Sequence, residues 1–258
     1  MFKIATWNVN SLRVRLPHVE QWLETNQVDV LALQETKIKD ENFPLDEIKA
    51  LGYEAVYSGQ PTYNGVAILS RKAVKNVFTS LPSFEDPQKR VIGADFNDTC
   101  ILNLYVPNGF SVGSEKYAYK LEWLSHLLRL VKRLLKKKKH LLLLGDFNIA
   151  PEDRDVHDPA EWEGSVLVSP AERAEFRHLL DAGLKDAFRL FPQPDNGYSW
   201  WDYRAAAFRR DRGLRIDHIL VNPALASLCK SCHIDKEPRK LERPSDHAPV
   251  VAEFSLTG

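Results

Sequence analysis

The stretch His140-Leu-Leu-Leu-Leu-Gly-Asp-Phe-Asn148 decides how this chain is read. Four consecutive leucines suit a β-strand covered on both faces. Such a strand cannot run on into Asp-Phe-Asn without bringing polar groups to the edge of its sheet. Along a strand, Asp146 and Asn148 point to one side and Phe147 points to the other, into the core. A carboxylate beside an amide suits holding and deprotonating a water. The plain alternative is a turn after a strand.

Outward from this strand, the same arrangement recurs. The apolar runs Phe2 to Val9 and Val28 to Gln34 carry Trp7-Asn8 and Gln34-Glu35 at their ends. Glu35 suits a hard cation such as Mg²⁺, which takes few protein ligands and keeps several waters. Asp217 lies inside the apolar run Leu214 to Val221, where a carboxylate is costly unless paired. His247, in Ser245-Asp246-His247, is its natural partner. A histidine so paired is held protonated and can donate to a phosphoryl oxygen. Tyr105 closes the run Ile101 to Val106 and offers a phenol to a phosphate or a wet edge to the core. Three adjacent residues such as Ser245-Asp246-His247 cannot form a serine-hydrolase triad, and the chain has no GxSxG, Walker or GxGxxG sequence.

Elements alternate along the chain. Leu16 to Asn26 reads as a helix burying Val19, Trp22 and Leu23. Tyr53 to Ser58, Gly65 to Ser70, Val91 to Phe96 and Cys100 to Val106 read as strands with little room for helices between them, which implies antiparallel pairing. Ser114 to Lys138 reads as a long amphipathic helix with Ser114 as N-cap. Pro170 to Asp181 is a further helix stopped by Gly183. Arg215 to Val221 and Pro249 to Leu256 are late strands. The long loop from Pro151 to Pro170 is of a kind that often serves function. Together these predict an α/β fold: a four-layer sandwich of two mixed, mainly antiparallel sheets packed together and flanked by helices, as one domain over residues 1–258.

Composition narrows the function. Basic and acidic residues number 35 each, so the formal net charge is zero, which argues against a broadly DNA-coating protein but not against local patches. Basic clusters fall at Lys136–Lys139, Arg209–Arg212 and Arg239–Arg243. Tyr198-Ser-Trp-Trp-Asp-Tyr203, followed by Arg204, combines aromatics able to stack on bases with guanidiniums able to hold phosphates. By strand alternation Trp200 and Trp201 face opposite ways. Three cysteines make no disulfide framework. Cys229-Lys-Ser-Cys-His233 matches a haem-attachment pattern, but no export signal accompanies it and Met1 is the only methionine, so no haem is expected. Phe2 to Trp7 already reads as a strand and no run is long enough to span a bilayer, so a cytoplasmic protein without a membrane partner is expected.

In order, TWNVNSLR (from Thr6), LQETK (Leu33), NGVAILSR (Asn64), LYVPNG (Leu104), LLGDFNIAP (Leu143), SWWDYR (Ser199), LRIDHILV (Leu214) and SDHAPV (Ser245) span the chain. The set resembles the exonuclease III and abasic-site endonuclease family of the DNase I-like endonuclease/exonuclease/phosphatase superfamily. The resemblance implies the same four-layer sandwich and a Mg²⁺- or Mn²⁺-dependent phosphodiesterase acting on double-stranded DNA, and a monomer is expected. By it, Glu35 is the main metal ligand with Asn8 and Asn10 beside it. Asp146 activates the attacking water, Asn148 orients Asp146, and His247 binds phosphate in partnership with Asp217. Asp246 is a metal ligand or a leaving-group helper, and Tyr105 contacts phosphate. Trp200, Leu214 and Ile216 line a pocket for the base-less sugar. Leu167 stands where family members active on abasic sites carry a small residue, so abasic-site incision is expected to be reduced relative to 3′→5′ exonuclease and 3′-end trimming. Two other readings stand beside this one: a phosphatase or sphingomyelinase-type phosphodiesterase of the same superfamily, and a catalytically inactive DNA-binding module.

Overall fold

The computed structural model describes residues 1–256; the last two residues of the expected 1–258 domain lie outside the described part. The elements in chain order are β1 (Phe2–Asn8), α1 (Leu12–Asn26), β2 (Val30–Gln34), α2 (Leu45–Ala50), β3 (Glu54–Ser58), β4 (Val66–Ser70), β5 (Lys75–Phe78), β6 (Val91–Phe96), β7 (Thr99–Tyr105), α3 (Glu115–Leu135), β8 (His140–Asp146), α4 (Pro170–Asp181), β9 (Lys185–Asp186), β10 (Asp217–Val221), α5 (Pro223–Ala226), β11 (Cys229–Ile234) and β12 (Val250–Phe254). They form two six-stranded sheets, ordered β11-β12-β1-β2-β4-β3 and β5-β6-β7-β8-β10-β9.

Each sheet is built around one parallel pair, β1 with β2 and β7 with β8, and all other pairings are antiparallel. Parallel neighbours need a crossover, and α1 and α3 supply it. The inner faces of the sheets meet in one apolar layer that includes Ile4, Ala32, Ile68, Ile101, Leu142 and Leu144. The outer face of the β8 sheet buries Leu141, Leu143 and Phe147 under α3 and α4. The outer face of the other sheet buries Ala5, Trp7, Leu31 and Leu33 under α1. The leucine run is thus covered on both sides. This is the four-layer arrangement expected from the sequence.

Some expectations need correction. The helix read from Leu16 starts at Leu12 and carries Pro17 within it. The strand read from Arg215 starts at Asp217. The runs at β4 and β6 do not pair with each other; each belongs to a separate hairpin, β3/β4 in one sheet and β6/β7 in the other. The strands β5, β9 and β11 carry no clean apolar alternation and were not anticipated. Cys229 and Cys232 lie on β11, with Cys232 buried.

The topology sends chemistry to one end. Asn8, Gln34, Tyr105 and Asp146 are the last residues of the four parallel strands. Asp217 begins β10 and lies opposite Asp146, while Tyr105 lies opposite Asp146 on the other side. His247 enters just before β12, which runs antiparallel to β1. Two buried amides tie the sheets together beneath this end. Gln34 donates to Asn103 Oδ1 at 2.7 Å, and Asn103 donates to the carbonyls of Leu33 and Ala67 at 2.9 and 2.8 Å.

Candidate active site

Asp146 is the centre of the cluster and is almost wholly buried. Its Oδ1 accepts the Asn148 backbone N–H at 2.8 Å, and its Oδ2 accepts the Asn8 amide at 2.9 Å and the Asn148 amide at 3.3 Å. Asn148 can take this position because it adopts φ 49°, a left-handed conformation that asparagine tolerates better than most residues. The other Asn8 amide hydrogen goes to Glu35 Oε1 at 2.8 Å, so one side chain holds both carboxylates.

On the opposite side, His247 Nε2 lies 3.7 Å from Asp146 Oδ2, and its Nδ1 lies 2.9 Å from Asp217 Oδ2. Ser199 donates to the same Asp217 oxygen at 2.7 Å. Asp217 Oδ1 is buried with no protein partner. Ser245 holds the His247 turn, donating to the Asn8 carbonyl at 2.6 Å and accepting the His247 N–H at 3.2 Å. Burial alone would pull the ring of His247 down, but the Asp217 and Asp146 carboxylates outweigh it and push it up to about 10. Burial pushes Asp146 up to about 7, opposed by the imidazolium and assisted by the charge of Asp217. The site therefore pairs a held cation with a carboxylate poised to take a proton near neutral pH. Burial, reinforced by Glu35, also raises Tyr105 well above the usual phenol range, so the phenol keeps its proton.

The donors fit a divalent cation. One ligand atom each from Glu35, Asp146 and His247 lies within 4.8 Å of the others. A histidine protonated on both nitrogens has no free lone pair, so within that trio Glu35 and Asp146 are the residues with lone pairs to offer a cation. Asp246 stands outside it. Its Oδ1 accepts the Asn10 amide at 3.0 Å and its Oδ2 accepts the Trp200 indole N–H at 3.0 Å. Asn10 connects to Glu35 by two routes: its backbone N–H donates to Asn8 Oδ1 at 3.0 Å, and the Lys37 ammonium meets Asn10 Oδ1 at 2.6 Å and Glu35 Oε2 at 2.8 Å.

Of the five residues expected at the DNA and abasic-sugar pocket, four come together. Leu167, Leu214, Ile216 and Trp200 form one apolar cluster with Ala150 and Val156, and Trp162, from the long loop, meets Trp200 edge-on at 6.2 Å. Trp201 turns the other way into the core, as alternation required. Arg204 does not join the cluster: its side chain is 89% exposed and pairs with Asp202. Sequence reasoning singled out neither Ser199 nor Asn108, although both lie inside quoted motifs. Asn108 donates to Asn148 Oδ1 at 3.2 Å. Lys37 and Lys120 were also passed over, since a single lysine carries no pattern.

A model of the endonuclease/exonuclease/phosphatase family matches residues 5–247. The chain belongs to that family. Three relatives match it over almost their whole length. Exodeoxyribonuclease III of Haemophilus influenzae is 39% identical over 98% of this chain and 99% of its own. Among solved structures, the 3′ phosphatase NExo from Neisseria, bound to a product DNA hairpin, is 47% identical with a TM-score of 0.97, covering 99% of this chain and all of that one. An AP endonuclease from Archaeoglobus fulgidus is 39% identical with a TM-score of 0.95, again over 99% of this chain and all of its own. Within this family the strand-end cluster around Asp146 is the candidate centre of hydrolysis.

Proposed function

We propose that this chain is a DNA-repair nuclease that hydrolyses phosphodiesters of duplex DNA, acting as a 3′→5′ exodeoxyribonuclease and trimming 3′ ends, with Mg²⁺ or Mn²⁺ as its metal. One observation carries the reading. Asp146, fixed by Asn8 and Asn148, faces a His247 that Asp217 keeps charged. Asp146 takes the proton of the attacking water, and Asn148 and Asn8 hold it in line. The His247 imidazolium binds a phosphoryl oxygen and meets the charge that builds on it. Tyr105 offers a protonated phenol from the next strand. Glu35, with Asn8 and Asn10 beside it, would hold the metal, which supplies further charge for the leaving 3′-oxygen. Asp246, held by Trp200 and Asn10, joins either the metal or the leaving group. The aromatic and aliphatic cluster of Trp200, Leu214 and Ile216 faces the sugar, and Arg204 reaches outward to the DNA backbone. The same reading makes the chain a one-domain cytoplasmic monomer.

Leu167 sets the lesion preference. It adopts φ 79°, a conformation natural for glycine and strained for leucine, and its side chain fills the cluster where a flipped-out sugar would enter. Abasic-site incision is therefore weak relative to exonuclease and 3′-phosphate removal. Three labelled duplexes incubated with Mg²⁺ test this: one with an abasic analogue, one with a recessed 3′ end, one with a 3′-phosphate. The expected order places the last two well ahead of the first. No cleavage of any of them contradicts the function, and abasic cleavage in the lead contradicts the assignment of Leu167.

A further inference from the structure

Lys120 lies on the inner face of α3 with its side chain fully shielded from solvent. A buried ammonium is costly unless its protons are used. Here they go to three separate segments. Nζ donates to the Asn108 carbonyl at 3.1 Å, to the Asn148 carbonyl at 2.6 Å, and to Glu172 Oε1. Glu172, equally shielded, sits in the first turn of α4. Its Oε1 also accepts the Leu167 N–H at 3.0 Å, and its Oε2 accepts the Ser169 N–H at 3.1 Å together with the Ser169 hydroxyl.

One ion pair therefore ends on Asn148 on one side and on Leu167 on the other. Both residues adopt positive φ, 49° and 79°. Such conformations persist only where the surroundings over-determine them. A second bond, from the Ala150 N–H to the Leu167 carbonyl at 2.8 Å, closes the loop between the two segments. Stability alone explains the pair poorly, because an apolar pair of the same shape is generally as stable.

We propose that the buried Lys120–Glu172 pair is a positioning device: it sets Asn148, and through it Asp146, in register with the Leu167 lip of the apolar cluster. Neither residue touches substrate. The catalytic half of the inference rests on the nuclease reading; the coupling between segments does not.

The test uses Glu172→Gln, Lys120→Met and the double variant. Each is compared with wild type in thermal melting, in kcat and KM on a recessed-3′-end duplex with saturating Mg²⁺, and in backbone hydrogen exchange well below the lowest Tm. Each single variant strands one buried charge and melts earlier, and the double variant recovers the part of that loss due to the unpaired charge, while the Asn108 and Asn148 carbonyls remain without their donor. The double variant is expected to stay about tenfold or more below wild type in kcat, with KM changed by less than about threefold, because alignment rather than binding is lost. Amides in segments 106–110, 147–151 and 165–169 should exchange faster together. A double variant whose kcat returns with its Tm makes the pair merely structural and overturns the proposal, as does faster exchange confined to one segment. Should Lys120→Met not fold, Glu172→Gln decides alone. Faster exchange at Phe147, Asn148 and Ile149, none of which is hydrogen-bonded to Glu172 or Leu167, supports the proposal, and unchanged exchange at these three overturns it. A wild type inactive on every duplex would fail the nuclease reading, and the exchange data would still decide the coupling.

Discussion

Asp217 has one partner that matters for chemistry, and removing its charge shows why. His247 is raised to about 10, and among the charges that raise it Asp217 is the largest. A raised histidine contributes stability that is complete below its unfolded value and lost as pH rises through its folded one. In the wild type that window reaches from about pH 6.5 to about pH 10, so the imidazolium survives neutral pH. In Asp217→Asn the alkaline limb of kcat/KM should move down toward neutrality, read from rate profiles of the two proteins at saturating metal. Superimposable limbs would separate Asp217 from the protonation of His247. At Leu167, substitution by glycine relieves the strained φ and opens the cluster. Leu167→Gly should raise abasic-duplex cleavage by about tenfold, the scale of a pocket change of a few methylenes, while leaving recessed-end cleavage within about twofold. Equal abasic cleavage by both proteins would remove Leu167 from specificity. At this scale the sequence was most legible where a polar residue interrupts an apolar run: Asn8, Glu35, Asp146 and Asp217 all announce themselves this way. Ser199, Asn108 and Lys120 do not, because a serine, an asparagine or a lysine in a loop or helix is ordinary until its partners are known.

Elements with strong periodicity were read nearly to their ends. The Ser114 cap is an example, since its side chain accepts the Tyr117 N–H at 3.1 Å as an N-cap should. Short elements were not. The strands β5 and β9 run four and two residues, too short for any period, and they exist because a neighbouring strand offers an open edge. The start of α1 was placed late because Pro17 obscured a helix that continues through it. The most sensitive junction between elements is Gly145, beside β7. It adopts φ 142°, and a Cβ there would sit 1.9 Å from the Leu104 carbonyl oxygen. The backbones of β7 and β8 would have to part to admit a methyl group. Gly145→Ala should cost about 3 kcal/mol and lower Tm by about 6 °C or more in calorimetry. An unchanged melting point would mean that β8 accommodates a side chain at this position.

At the scale of the molecule, the parallel pair in each sheet explains why a single end carries the chemistry. The parallel strands stop at one end, and the antiparallel strands β10 and β12 start there. The four-layer order followed from the leucine run, whose two apolar faces require cover on both sides. The pairing of the two hairpins did not, because alternation says nothing about which sheet a hairpin joins. Among the described residues no helix is long and apolar enough to cross a membrane. Glu35 and Asp146 converge with lone pairs to offer a divalent ion, so Mg²⁺ should stabilise the whole fold. At one hundred times its Kd, a single bound ion contributes about 2.7 kcal/mol, which raises Tm by about 5 °C or more. Glu35→Gln should abolish that rise, and a rise that persists in Glu35→Gln would place the ion elsewhere. Asp146 is the group proposed to activate water, and Asp146→Asn tests that role directly. With metal saturating and duplex binding confirmed by titration, single-turnover cleavage of a recessed-3′-end duplex should fall by about 10²–10⁴-fold. Turnover close to wild type would contradict it.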